Sequence, residues 1–330
     1  MGYYVVRRIV AMFLTLIALS ILVFLLFAAL PVNPAALTCG KSCTPEVIHA
    51  NEVRLGYDKP LYVQYGTFVK GVFAGRTYGS GTATFECPAP CLGYSFARGE
   101  NVTHLIAKRL PVTATEAVGA CVLWLGVGVV VGVVAALRRG RWQDRVSMSG
   151  ALIGYSFPTF FIGLVLLYLV VFKLRIMAYP SYTPFSDDPV AWFKSFILPW
   201  ATLAAVFAAF YARLTRNQML DTLGEDYIRT ARAKGLKRGK VIFKHALRAS
   251  LTPIVTATGV DLGQLLGGVV ITETIFALPG LGKLALQSVT SADLPVITAV
   301  VLVAASFIIV ANLVVDLLYG LIDPRVRVGE

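Results

Sequence analysis

"EDYIRTARAKGLKRGK", residues 225–240, is the stretch on which the reading of this chain turns. It is polar, basic and helix-like, yet it lies between two apolar runs, 196–211 and 251–276, whose composition suits lipid. Asp226 can cap a helix N-terminus through its carboxylate. Tyr227, Ile228, Ala231 and Leu236 give an incomplete apolar stripe, while Arg229, Arg232 and Lys234 face elsewhere and suit a helix C-terminal dipole. Gly235 stands where a left-handed cap is wanted, and a second helical piece, about 238–249, leads into the next apolar run. The segment reads as a helix, a glycine elbow and another helix on a membrane surface. Charge alone fits anionic lipid, at about 1 kcal/mol per Lys or Arg near the surface. The elbow and the small Thr230–Ala231 pair fit a groove on a partner protein. On the residues alone both contacts stay open.

Outward from this stretch, the chain has 330 residues, 57% of them hydrophobic, and a mean hydropathy of +0.72. A soluble domain is nearer about 45–50% apolar. The excess sits in six runs, 9–30, 112–137, 146–172, 196–211, 251–276 and 294–318, of which the fourth is the shortest. A span needs about 20 residues, and backbone groups in lipid must be paired internally, so the runs are expected to be helices. The expected fold is all-α and membrane-integral: six transmembrane helices with one large first loop.

The net charge of +12 is distributed as orientation, not as a nucleic-acid surface. Arg7 and Arg8 precede the first run, Arg138, Arg139, Arg141 and Arg145 crowd the next basic link, and ten Lys or Arg lie from Arg213 to Arg248. Alternating spans put all of these, with Arg325 and Arg327, on one side, which places both termini in the cytoplasm. The first run exceeds the roughly 7–15 residues of a signal-peptide core and reads as a span. Met1 to Val6 would form an interfacial elbow before it.

Residues 32–111 then lie outside, rich in Pro, Gly, Thr and Ser, with strand-sized stretches such as 61–68. Cys39, Cys43, Cys87 and Cys91 fall here. An oxidising exterior favours two disulfides, with three possible connectivities; a four-thiolate metal or iron–sulfur site and free thiols are the alternatives. Cys121, inside the second run, reads as a small packing residue.

The fifth run carries the most pattern. Gly259, Gly263 and Gly267 recur every fourth residue and make one smooth face. Asp261 lies about 200° around from Gly259 and begins a second stripe with Gln264, Gly268 and Thr272. An acid inside a membrane is costly and marks a functional site by default; Asp261 reads either as part of a translocation pathway or as a structural pairing group. Gly128 and Gly132 suit helix packing, Pro158 a kink in the third run, and Asn312 and Asp316 buried hydrogen bonding in the sixth.

At residues 226–256, "DYIRTARAKGLKRGKVIFKHALRASLTPIVT" resembles the EAA loop of inner-membrane permease subunits of ABC importers, in the dipeptide/oligopeptide branch. "TETIFALPGLGKL" from Thr272 and "DLLYGLIDPRVRV" from Asp316 are similar to further motifs of that family, as are "YYVVRRIVAMFLTLI" and "LGYDKPLYVQYG" to its first permease subunit. The resemblance runs nearly end to end. Arg229, Thr230, Ala231 and Gly235 stand at the EAA-and-glycine positions, with Arg229 and Thr230 in place of Glu-Ala, so no role for a glutamate carries over. His245, Leu247 and Arg248 occupy the altered end of the motif, and the proline comes later as Pro253.

The resemblance implies a type I importer transmembrane domain. It would comprise an elbow and first helix (1–31), an extracytoplasmic cap (32–111) and a five-helix core (112–330) with a cytoplasmic coupling loop at 213–250. It implies that Tyr227, Ile228, Arg229, Thr230, Ala231, Ala233, Gly235 and Leu236 couple to an ATPase. Its partners would be a second homologous permease subunit, two ATP-binding subunits that hold ATP and Mg, an extracytoplasmic solute-binding protein, a peptide substrate and membrane lipid. The location implied is the bacterial inner membrane. Nickel chelates, glutathione or another small solute are alternative cargoes, and an ion-coupled secondary transporter is the alternative class.

No cofactor is expected in this chain. "GLKRGKV" at Gly235 and "PGLGKLA" at Pro279 lack the Ser or Thr hydroxyl of a phosphate-binding loop. His49, His104 and His245 are scattered without metal or catalytic spacing. The expectation is a non-catalytic subunit of an ATP-hydrolysing complex.

Overall fold

The computed structural model describes residues 2–28, 44–80, 83–267 and 269–322, and every structural statement below concerns those residues. Helix α1 (Gly2–Ala28) runs without a break, so its first residues form no separate elbow. Their apolar sequence simply continues the helix.

The cap follows. It holds α2 (Pro45–Leu55), α3 (Leu61–Ala74), a hairpin of β1 (Arg76–Ser80) and β2 (Ala83–Cys87), and the two-residue strands β3 (Tyr94–Ser95) and β4 (Glu100–Asn101). Arg76 faces Cys87 and Tyr78 faces Phe85 in the antiparallel register. The stretch 61–68 is thus helical and not a strand. Its apolar residues pack at helical spacing, with Tyr65 and Phe68 both against Phe24 of α1. Cys87 and Cys91 are joined in a disulfide; Cys39 and Cys43 lie outside the described residues. Phe85 stacks on Tyr94 at 4.9 Å and Tyr94 meets Phe96 edge-on at 5.0 Å, an aromatic core for the cap.

Two 36-residue helices, α4 (Val102–Leu137) and α7 (Pro189–Gly224), form the centre. Gly128 and Gly132 let them touch: a Cβ at Gly132 would lie 2.6 Å from the Ala212 carbonyl oxygen, and one at Gly128 2.8 Å from Tyr211 Cβ. Trp124, fully buried, stacks on Phe207 at 4.6 Å. Cys121 is buried in the same cluster, as a packing residue would be. The expected short fourth run is therefore the middle of a long helix. Asp188 caps it by accepting from the Val190 and Ala191 amides.

Between these two lie α5 (Trp142–Ser156) and α6 (Thr159–Leu167), the latter continued by a π-helical turn to Lys173. The pair bends by 98°. Phe157 and Pro158 are both extended, because the proline ring disfavours α geometry before it and removes an amide donor.

After α7 come α8 (Asp226–Ala233), α9 (Arg238–Lys240), a π-helical turn (Val241–Leu247) and α10 (Arg248–Leu266). The expected fifth span does not run to 276. It stops after α10, and α11 (Val270–Ile275) starts afresh past Gly267, where helix propensity is low. Helix α12 (Leu281–Thr290) and the long α13 (Leu294–Ile322) complete the chain. Among the described residues four helices, α1, α4, α7 and α13, are long and apolar enough to cross a membrane, and the bent pair makes a fifth if it counts as one span. The six expected runs thus appear, among the described residues, as four unbroken helices and two broken ones.

Candidate functional site

Two regions hold the candidate residues: the basic end at α8, and the middle of α10. Helix α8 lies against the chain's own core. Ile228 is fully buried and Ala231 nearly so, packed with Val133 and Ala136 of α4, Met219 of α7 and Val241, Ile242 and Ala246 of the following turn, with Leu236 alongside. These three candidates anchor the helix and do not face outward. The outward ridge is Tyr227, Arg229, Thr230 and Ala233, all exposed. Burial and the neighbouring Glu225 carboxylate push the Tyr227 phenol up from its ordinary value.

Glu225, not Asp226, is the N-cap residue, and no side chain caps the helix. Asp226 sits one position inside, where its carboxylate meets Arg229 at 3.4 Å, and Thr230 Oγ1 donates to its carbonyl at 2.9 Å. At the other end the Leu236 amide donates to the Ala231 carbonyl and the Gly235 amide to the Arg232 carbonyl. This paired closure requires a left-handed residue, and Gly235 supplies it with φ of 75°. The elbow turns the chain from α8 into the helix that becomes α10.

A bidentate ion pair braces this end. Arg216 of α7 donates to Asp144 of α5 through Nε at 2.6 Å and Nη2 at 2.8 Å, and the Gly140 amide donates to the same carboxylate at 2.9 Å. Neither residue belongs to a motif; the two are 72 positions apart.

In α10 the glycine face packs on α13. A Cβ at Gly263 would lie 2.6 Å from Ala311 Cβ, and one at Gly267 3.2 Å from Ala304 Cβ. Across the helix, Asp261 accepts a 2.7 Å hydrogen bond from the Tyr211 hydroxyl of α7. Gln264 is exposed. Thr272 is buried in α11, its hydroxyl donating to the Val269 carbonyl at 3.2 Å, and Gly268 lies outside the described residues. The polar stripe expected to run from 261 to 272 is therefore not one helix face. Asp261 and Gln264 share α10, and Thr272 sits beyond a break.

Beyond α10 lies a polar knot that no spacing marks. Glu273 accepts from Thr113 Oγ1 at 2.6 Å and from the Lys283 amide at 2.8 Å, and Thr113 Oγ1 accepts from the Leu281 amide at 2.8 Å. One turn along α4, Glu116 is fully buried, with neither carboxyl oxygen hydrogen-bonded. Its signal was an acid inside an apolar run. In the sixth run Asn312 is exposed, while Asp316 pairs with Arg8 of α1 at 2.9 Å. Among the described residues no group of three or more His, Cys, Asp or Glu is placed to hold a metal ion.

Residues 128–328 match the family described as "Binding-protein-dependent transport system inner membrane component", and residues 1–117 match its N-terminal companion. The chain belongs to this permease family. It is 38% identical over 325 residues to a putative peptide transport system permease protein of Brucella abortus (strain 2308), covering 98% of both chains. It is 36% identical over 327 residues to a probable peptide ABC transporter permease protein of Sinorhizobium fredii, covering 99% of this chain and all of that one. The glutathione transport system permease protein of Escherichia coli (strain K12) is 38% identical over 324 residues, covering 98% of both. Among solved structures, one chain of the inward-facing methionine ABC transporter MetNI matches with a TM-score of 0.52 at 18% identity, over 67% of this chain and 97% of that chain, a likeness of fold. The protein is thus a multi-pass inner-membrane permease subunit of a peptide-type ABC importer, and it is non-catalytic.

Proposed function

We propose that this permease forms half of a pathway for di- or oligopeptides and that α8 is its contact with a separate ATPase. The observation that carries the reading is the two-sided character of α8. Ile228 and Ala231 bury one face in the permease, while Tyr227, Arg229, Thr230 and Ala233 stay exposed on the other. A helix so anchored passes a push on its outer ridge to α4, α7 and the π-helical turn that leads into α10. Both termini would be cytoplasmic, on the side of α8. ATP and Mg would be held by two ATP-binding subunits, cargo would arrive with a solute-binding protein at the cap, and a second permease subunit would close the pathway. ATP binding biases the switch between inward- and outward-facing states only through unequal affinity for them.

Asp261 and Gln264 are the wall residues of this reading, with the Tyr211 hydroxyl bonded to the acid. Photo-crosslinking from Tyr227 or Arg229 in the assembled transporter tests the contact. Adducts to the ATP-binding subunit support it, and adducts to lipid alone refute it. A glutathione cargo is the second reading, favoured by the equally similar glutathione permease. Competition between labelled dipeptides and glutathione for uptake separates the two.

A further inference from the structure

Helix α3 has one charged residue, Lys70, in fourteen, "LYVQYGTFVKGVFA", although it belongs to the cap. It is fastened to α1 by three contacts. The Tyr65 hydroxyl shares a 2.7 Å hydrogen bond with Ser20 Oγ. The Tyr65 ring meets Phe24 edge-on at 5.4 Å, and Phe68 lies 6.3 Å from the same ring. The apolar span of α1 runs from Val5 to Phe27. At about 1.5 Å per residue, Phe24 and Ser20 lie about 5 and about 10 Å inside its cap-side end. Those depths match the roughly 5–10 Å to which an interfacial helix sinks at the headgroup and acyl boundary.

A second face of α3, about a quarter-turn around from the α1 contact, is apolar and uncovered. Tyr62 is 77% exposed and Phe73 81%. Eleven residues apart, they share nearly one azimuth on a helix of about 3.6 residues per turn, with Gly66 between them. Helix α1 itself exposes Ile17, Leu22 and Leu25, on a span that lipid must cover. The geometry points to α3 as an interfacial helix of the cap-side leaflet, its Tyr62–Phe73 face lying in lipid. Tyrosine favours that boundary, with an apolar ring and a polar tip, and Lys70, exposed on its flank, reaches the headgroups from there. The first structured half of the cap is then part of the membrane anchor, and only the rest of it stands in water for a partner.

The test places a genetically encoded fluorescent residue at position 62 or 73 of the full chain in its assembled transporter, in liposomes. Exposed Gly66, on the same face and with nothing within 4 Å of an added Cβ, is the substitute if either variant fails to insert, and exposed Glu86 of the hairpin is the water-side control. Doxyl-labelled phospholipid should quench positions 62 and 73 at least about twofold more than position 86, with the order reversed for iodide. Equal iodide access at all three positions overturns the assignment. So does shielding at 62 and 73 that depends on added solute-binding protein, since that assigns the face to a protein partner.

Discussion

Gly235 holds φ of 75°, and a Cβ added there would meet nothing within 4 Å. Any penalty for replacing it is therefore backbone strain alone, about 1–2 kcal/mol for a residue with a side chain in the left-handed region. Gly235→Val is expected to lower transport-coupled ATP hydrolysis several-fold at equal insertion, while Gly235→Asn stays near the parent, because asparagine tolerates this geometry. Reconstituted ATPase assays on both variants check it. Glu273→Gln leaves one carboxyl-type acceptor where Thr113 and Lys283 now engage two oxygens, so thermal unfolding should report a loss of about 1–3 kcal/mol. Gly235 was legible in the sequence because it follows a helix-favouring run. The role of Glu273 was not, since its partner Thr113 lies 160 positions away.

Glycine spacing is what brings elements together here. Gly263→Leu on α10 drives a side chain into Ala311 of α13, and overpacking of this kind costs about 1–3 kcal/mol. A Cβ at Gly126 on α4 would meet nothing within 4 Å, so Gly126→Leu should not lower folded yield or melting temperature in detergent. The four-residue repeat of 259, 263 and 267 announced this contact face, and Pro158 announced a break. The 98° size of that break depends on what α5 and α6 pack against. Stretch 61–68 misled because a short apolar run fits strand and helix alike; contact with Phe24 decided it. The stripe through Asp261 assumed an unbroken helix, which the restart at Val270 removes.

At the scale of the whole molecule, the Asp144–Arg216 pair ties the bent α5–α6 unit to α7, the helix that leads into α8. Removing either partner strands the other's charge in a mostly buried site. Asp144→Asn and Arg216→Gln are each expected to cost about 1–3 kcal/mol. The double variant should cost clearly less than their sum, as groups in direct contact couple. A thermal-unfolding cycle of the four proteins measures this, and strict additivity would show that the brace contributes nothing to stability.

Composition and period determined that this chain is a helical membrane protein, since only long apolar runs can satisfy their backbone inside lipid. Local motifs also determined the glycine elbow and the family. The tertiary structure decided which face of each element looks inward. Ile228 and Ala231 turned out to be anchors and Tyr227 and Arg229 the ridge, because burial depends on the ends of α4 and α7, about a hundred positions and a few positions away. It likewise joined Asp261 to Tyr211 and α3 to α1. A period can mark a contact face, as the glycines of α10 do, but it does not name the partner; packing chooses that among many compatible neighbours.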